Sequence, residues 1–324
     1  MATPERDAAT VDLPAGIMLE DRDCPMGCAR NDERLFMARD QLHGLPGLFN
    51  VVRCRGCGLM RTNPRPTPEC IGFYYPADYS PYETSRADVA PSNDVGAARR
   101  LVRSMVSGPS RAVPDIGPGR LLEIGCASGQ FLLEMRNRGW HCDGIEFSEV
   151  AALRAAALGF RIHIGPVDGA PAPQVPYDLI VGWMVLEHLH EPIQTLKRLL
   201  EWTRPGGWIA LSVPDLSALD FRVVGPDWYG LHIPNHLYHF TSRTATNLLR
   251  AAGWMPKRLL FHRNASTPLR SLAVLADRRG WSKLARRIRA IEHGERAAQL
   301  RTAFHLLSGW TRQSGRITLW AQRN

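Results

Sequence analysis

The stretch Arg120-Leu-Leu-Glu-Ile-Gly-Cys-Ala-Ser-Gly-Gln-Phe-Leu-Leu133 decides how the rest of the chain is read. Leu121, Leu122 and Ile124 form a short apolar run of strand length. Gly125 to Gly129 form a tight turn. Phe131, Leu132 and Met135 recur at helical spacing, so a helix opens where the turn ends. Strand, glycine turn and helix N-terminus together make a cradle for a nucleotide-like ligand. The glycines allow close approach of backbone N–H groups because no Cβ intervenes. The alternative is a turn that only lets strand and helix pack.

The dinucleotide fingerprint requires glycine at the first, third and sixth positions. From Gly125 these are Gly125, Ala127 and Gln130, so the fingerprint fails twice. Downstream, His141-Cys-Asp-Gly-Ile-Glu-Phe147 reads as a second strand. It ends in Glu146, where an acid can accept both hydroxyls of a ribose. Ser148 is placed to cap the alanine-rich helix Val150–Leu158. Short apolar segments follow at Phe160–Ile164, Tyr177–Trp183, Trp208–Val213, Met255–Arg263 and Gly315–Arg323. They alternate with helical segments at Ile193–Trp202 and Arg243–Ala252. This alternation predicts an α/β fold with a doubly wound, Rossmann-like sheet. Ligands of such sheets sit at the carboxyl ends of the strands. Trp183 and Met184, at the end of the Tyr177 strand, are therefore expected to face the cofactor. Asp168, in a Gly/Pro-rich loop, is placed to accept from an adenine amino group or to stand in solvent.

Four cysteines precede this domain in two close pairs, Cys24/Cys28 and Cys54/Cys57. Two such knuckles can close a tetrahedron of thiolates around a structural zinc ion. The strand-like segment Leu48–Arg53 separates them. Disulfides are the alternative, and a reducing compartment argues against them. The first ten residues lack a secretory apolar core. No apolar run reaches about eighteen residues. The expected location is the cytoplasm.

The chain has 324 residues and a formal net charge of +9. The basic excess lies beyond Lys257. It can meet nucleic acid, an anionic membrane surface or a phosphorylated substrate, or be a solvated face. The expected organisation is a flexible tail at 1–20, a zinc-binding module at 21–85 and a helical linker at 86–112. The main domain follows at 113–324, with a basic helical insertion at 264–312. The tyrosines of Tyr74–Tyr82 either line an acceptor site or pack the two parts together.

These residues resemble the class I S-adenosylmethionine-dependent methyltransferases, close to the ubiquinone-biosynthesis O-methyltransferase type. The resemblance rests on Glu123-Ile-Gly-Cys-Ala-Ser-Gly129, Glu146, Tyr177-Asp178, Leu186-Glu-His188 and Arg204-Pro-Gly-Gly207. Residues 21–85 resemble the cysteine-rich zinc module of bacterial methyltransferases of polysaccharide and natural-product pathways. The resemblance implies a seven-stranded sheet whose last strand inserts antiparallel between the fifth and sixth positions. It also implies S-adenosylmethionine as cofactor, with Glu123, Gly125, Cys126, Ala127, Gly129 and Phe131 in the cradle. Glu146 and Phe147 follow at the second strand tip, then Asp168, Trp183 and Met184.

Two departures bear on the chemistry. Ubiquinone-type enzymes are similar in carrying a further glutamate that completes a metal-holding trio, and Met184 stands there instead. Sugar C-methyltransferases carry a Glu-His pair where this chain has Asn235 and His236, which favours oxygen or nitrogen as the methyl acceptor. Histidine suits removal of a hydroxyl proton. His236 is the expected base, with His239 or His188 as orienter or second choice. The expected acceptor is a small molecule, sugar or glycan. An RNA methyltransferase using the zinc module and basic segment is one alternative. A non-catalytic protein that keeps the cofactor is another.

Overall fold

The computed structural model describes residues 13–76, 111–262, 266–293, 311 and 315–324. Tyr79, Tyr82 and nearly all of the helical linker expected at 86–112 lie outside these residues.

Thirteen strands are present among the described residues. Five belong to the N-terminal part: β1 (Leu19–Glu20), β2 (Asp32–Ala38), β3 (Phe49–Cys54), β4 (Met60–Thr62) and β5 (Arg65–Pro66). The main domain contributes β6 (Arg120–Ile124), β7 (His141–Glu146), β8 (Arg161–Ile164), β9 (Tyr177–Trp183) and β10 (Thr203–Pro214). β11 (Tyr238–His239), β12 (Met255–Phe261) and β13 (Arg316–Gln322) complete the set. The helices are α1 (Gln130–Asn137), α2 (Glu149–Ala157), α3 (Pro192–Trp202), α4 (Leu219–Val224), α5 (Ser242–Ala251), α6 (Ser266–Arg278) and α7 (Ser282–His293).

Seven strands form one sheet in the order β12-β13-β10-β9-β6-β7-β8. β10, β9, β6, β7 and β8 run parallel, and β13 is antiparallel to both β10 and β12. The expected insertion of the last strand between the fifth and sixth is therefore present. Apolar runs explain the central strands. Leu179, Ile180 and Val181 are all fully buried, so β9 is covered on both faces. Local signals set the helix ends. The Ser148 side chain accepts from the Ala151 N–H at the start of α2. Thr241 and Thr244 form a reciprocal capping box on α5. Pro192 occupies the first turn of α3.

One boundary differs from expectation. The helical segment Ile193–Trp202 and the apolar segment Trp208–Val213 leave a loop at 203–207. Instead α3 passes directly into β10 at Thr203. Pro205, Gly206 and Gly207 sit in an irregularity of the β9–β10 pairing, between Thr203 and Trp208. Backbone bonds to β13's end hold them: Gly206 N–H donates to Arg323 O, and Arg323 N–H donates to Gly207 O.

The N-terminal part is not a free-standing sheet. β2, β3 and β4 are antiparallel, and the fourth strand of their sheet is β11, from the main domain. Buried Arg65 reinforces this junction. Its guanidinium donates to Glu20, to the His190 carbonyl and to the Tyr238 hydroxyl. Buried Arg61 makes a two-pronged pair with Asp32.

Candidate active site

The glycine cradle joins β6 to α1. Gly125, Ala127 and Gly129 have φ of 65°, 47° and 80°. Only glycine takes this region without strain, so the Ala127 backbone stores some. A Cβ on Gly125 would lie 2.5 Å from Val185 Cγ2, and one on Gly129 would lie 3.0 Å from Ala155 Cβ. Both glycines are therefore required by space as well as by torsion. Cys126 belongs to the turn through its backbone. Its side chain is buried beneath the sheet, against Gly144. Phe131 is likewise buried, its ring 5.2 Å from that of Trp183 in an edge-to-face pair.

Two carboxylates flank the cradle. Glu146 accepts from the Ala127 N–H and the Ser148 N–H, each at 2.8 Å. Each oxygen keeps a second lone pair, so acceptance from ribose hydroxyls stays chemically open. Glu123 is buried, and its Oε2 has no hydrogen-bond partner among the described residues. Burial pushes its carboxyl up to about 8, against the pull of Arg111. Phe147 at the tip of β7 is 56% exposed, which leaves an aromatic face open beside Glu146. Asp168 is exposed and accepts from the Thr195 hydroxyl at 3.3 Å. Met184 follows β9 with φ of 61° and donates its N–H to Ser212 O.

Beyond Met184 the chain forms a second cluster. Val185, whose side chain fills the space above Gly125, leads to Glu187 and His188 in a short 3-10 turn. The loop after α4 comes back over this turn, and Leu237 N–H donates to Glu187 O. Three imidazoles meet there. His188 and His236 have ring centroids 4.6 Å apart, and His232 lies 4.9 Å from His236. His236 Nδ1 is 3.0 Å from the Gly230 carbonyl, which can only accept, so Nδ1 carries the proton. Nε2 then keeps its lone pair, 3.9 Å from Glu187 Oε1. His188 Nδ1 meets both the Asn235 carbonyl at 3.0 Å and the Tyr75 hydroxyl at 2.8 Å, so it carries a proton when it donates to the carbonyl and lacks one when it accepts from the hydroxyl. His239 stands apart. Its Nε2 meets the Thr62 hydroxyl at 3.0 Å, in the seam between β4 and β11.

Burial governs the protonation here. It pushes the imidazoles down, to about 4 for His188, about 3 for His232 and His239, and well below the usual range for His236. It pushes the Glu187 carboxyl up to about 8, and both its oxygens lack a hydrogen-bond partner among the described residues. Glu187, His188 and His236 offer ligand atoms that lie within 4.8 Å of one another, so this trio can hold a metal ion. Met184 contributes nothing to it; a histidine from the loop does. The sequence showed no such trio, because its third member lies 48 residues from the second in the chain. One local signal was legible: the acid and imidazole side by side at Glu187-His188, just past the end of β9.

The cysteines meet as spacing suggests. The Sγ atoms of Cys24, Cys28, Cys54 and Cys57 lie within 4.8 Å of one another, and all four are free thiols. Zn–S bonds of about 2.3 Å would set the sulfurs roughly 3.8 Å apart. Gly56 makes room: a Cβ there would be 3.2 Å from Cys28 Sγ. Burial would raise the Cys54 thiol, but amides of Cys57 and Gly56 outweigh it and lower it. Four sulfurs in this arrangement, with amides turned to one of them, suit a closed tetrahedral cation site.

Residues 97–256 match the model of a family described as a methyltransferase domain. Over this stretch the chain is similar to a methyltransferase domain. The chain is 32% identical to ubiquinone biosynthesis O-methyltransferase of Aeromonas salmonicida over 147 residues, 41% of this chain and 62% of that protein. It is 26% identical to the same-named protein of Nitrosospira multiformis over 117 residues, 33% and 49% respectively. The chain thus spans about half to three fifths of the length of the curated relatives it matches. Among solved structures, an S-adenosylmethionine-dependent methyltransferase from Mesorhizobium loti is similar at 17% identity and a TM-score of 0.43. That match covers 71% of this chain and 99% of the other. The matched segment, 97–256, contains the cradle, Glu146 and the Glu187–His188 turn. The cysteine cluster lies outside it.

Proposed function

We propose that this chain transfers the methyl group of S-adenosylmethionine to a hydroxyl or amine of a small molecule, sugar or glycan. One observation carries the reading: the cradle and the histidine cluster share a wall. Val185 packs into the space over Gly125, and Glu187 and His188 follow it within one turn. A ligand in the cradle and an acceptor at the histidines would therefore be neighbours at the carboxyl ends of β6 and β9.

The residues fit the cofactor. Gly125 and Gly129 give the turn its left-handed torsions and let Val185 and Ala155 close against it, and Phe147 offers an aromatic face beside the Glu146 carboxylate. A buried Glu123 oxygen without a partner suits an ammonium group such as that of a methionine. S-adenosylmethionine supplies an electrophilic methyl; the acceptor oxygen forms the new O–C bond as the S–C bond breaks.

The chain must then take one proton. His236 is placed for it, because the Gly230 carbonyl fixes Nδ1–H and leaves Nε2 to accept. Glu187 Oε1 lies 3.9 Å from Nε2 and balances the resulting imidazolium only when ionised, which burial opposes by holding its carboxyl up to about 8. His188 is the second choice. His239 is spent on Thr62 and supports the loop instead. We also assign a structural zinc ion to Cys24, Cys28, Cys54 and Cys57, since all four positions are filled by protein sulfur.

The test has two parts. Calorimetry with S-adenosylmethionine should give binding to the native chain and to His236→Gln alike. A labelled methyl group offered with fractionated cell extract should enter small molecules or glycans, and the rate should fall about 10²-fold or more in His236→Gln. Label appearing in RNA would overturn the acceptor class. Unchanged turnover in His236→Gln would remove the base assignment.

A further inference from the structure

The α6–α7 hairpin lies outside everything used so far. Its two helices pack along small buried residues, including Ala276 of α6 and Ala285 of α7. α6 is anchored inward, with Arg278 paired to Asp227 at 2.7 Å and Arg270 donating to the Tyr229 hydroxyl. α7 presents an amphipathic stripe outward. Leu284, Ile288 and Ile291 follow one another at spacings of four and three, hence on one face. Trp281 precedes them at the turn. Trp281, Leu284 and Ile291 are 51%, 45% and 46% exposed.

Cations line this stripe. Lys283 and Arg287, four residues apart, run beside it, and Arg286 is turned away from it. All three are exposed and make no hydrogen bond or ion pair among the described residues. Arg279 lies with its guanidinium 5.3 Å from the centre of the Trp281 ring. Arg289 is the exception, paired with Asp277. No Asp or Glu occurs from Arg278 to Ile291. Trp281, Leu284 and Ile291 add an exposed apolar stripe to these cations. A nucleic acid would take the cations but leave those side chains in water. A bilayer interface takes both, the apolar stripe among the acyl chains and the cations among anionic headgroups.

We propose that the Trp281–Ile291 face is a docking surface for an anionic lipid bilayer. α7 lies in the plane of the interface, with Trp281 and Leu284 inserted and Lys283 and Arg287 against the headgroups; Arg286, two residues from Leu284, faces away from the inserted stripe. The proposal does not depend on the methyl acceptor. It makes the association reversible and sensitive to salt.

The test is co-sedimentation of the full chain with vesicles of phosphatidylcholine and phosphatidylglycerol, and with phosphatidylcholine alone. The expected result is binding to the mixed vesicles at low ionic strength that fades with added salt. Lys283→Gln and Arg287→Gln should each weaken it on the order of fivefold, and Arg286→Gln should weaken it less, because that side chain faces away from the inserted stripe. Trp281→Ser with Leu284→Ser should also weaken it, while leaving the salt dependence in place. All five side chains are exposed, so thermal melting should not change, and that control separates lost binding from lost folding. Absence of binding to the mixed vesicles at low salt would overturn the proposal. So would variants that sediment like the native chain, or a short RNA that displaces the native chain from the vesicles.

Discussion

At Gly125 torsion and space act together. Its φ of 65° lies in the left-handed region, and any Cβ would meet Val185 Cγ2 at 2.5 Å. Gly125→Ala should cost about 1–2 kcal/mol from the backbone and a further 1–3 kcal/mol, roughly, from overpacking. Urea unfolding would measure the sum. Adding Val185→Ala should recover the second part and not the first, which separates strain from collision. Ala127 shows the complementary case: the same backbone region is occupied by a residue with a Cβ, and Glu146 ties its N–H down. The short side chain makes this tolerable. Both the cradle and its cost were readable from glycine positions alone. The roles of Cys126 and Phe131 were not, because a side chain's direction at a turn depends on which strand and helix lie behind it.

At the scale of elements, two devices hold the loop that carries His236. One is local. The Thr241–Thr244 capping box starts α5 directly after the loop. Thr241→Ala should therefore lower stability by about 1 kcal/mol, read from the urea midpoint. The other is distant. β11 pairs with β4, and β4 and β3 flank the knuckle that holds Cys54 and Cys57. Thr62 reaches from β4 to the His236 carbonyl and to the His239 ring. Removing zinc should thus disturb the acceptor side as well as the module. Metal analysis should find one zinc per chain. Stripping it with a strong chelator, or Cys54→Ser, should lower the melting temperature and weaken acceptor turnover more than cofactor binding. Cofactor binding and turnover falling equally would argue against this route. β2 escaped the sequence reading because its alternation is broken at Asp32-Glu-Arg34 and its register slips between Arg34 and Phe36.

For the whole molecule the buried titratable groups set a narrow pH range. His188, His232, His236, His239 and His262 are all pushed below the usual imidazole range, chiefly by burial. As pH falls from about 6.5 toward 4, the unfolded chain takes up protons that the folded chain refuses, so stability drops. Glu123 and Glu187 act in the other direction. Their carboxyls are pushed up to about 8, so their stabilising contribution is present below the ordinary carboxyl range and is lost as pH rises to about 8. The histidines outnumber the glutamates where the two windows overlap. Urea midpoints measured across pH 4 to 9 should peak near 6.5, and Glu123→Gln should flatten part of the alkaline decline. A profile that keeps rising to pH 9 would contradict these assignments.

The sequence by itself determined the sheet and its cradle. β6, β9 and β13 are short apolar runs whose burial follows from composition. The glycines at 125 and 129 specify their own torsions, and the four cysteines carry their spacing with them. These are local properties, visible wherever neighbours in sequence are neighbours in space. Only the tertiary structure decided the acceptor side. The pairing of β4 with β11, the return of the His232–His239 loop over Glu187, and the meeting of Glu187 with His236 all join residues far apart in the chain. No periodicity encodes such contacts, because they arise when the main sheet forms and brings the ends of its connections to one edge.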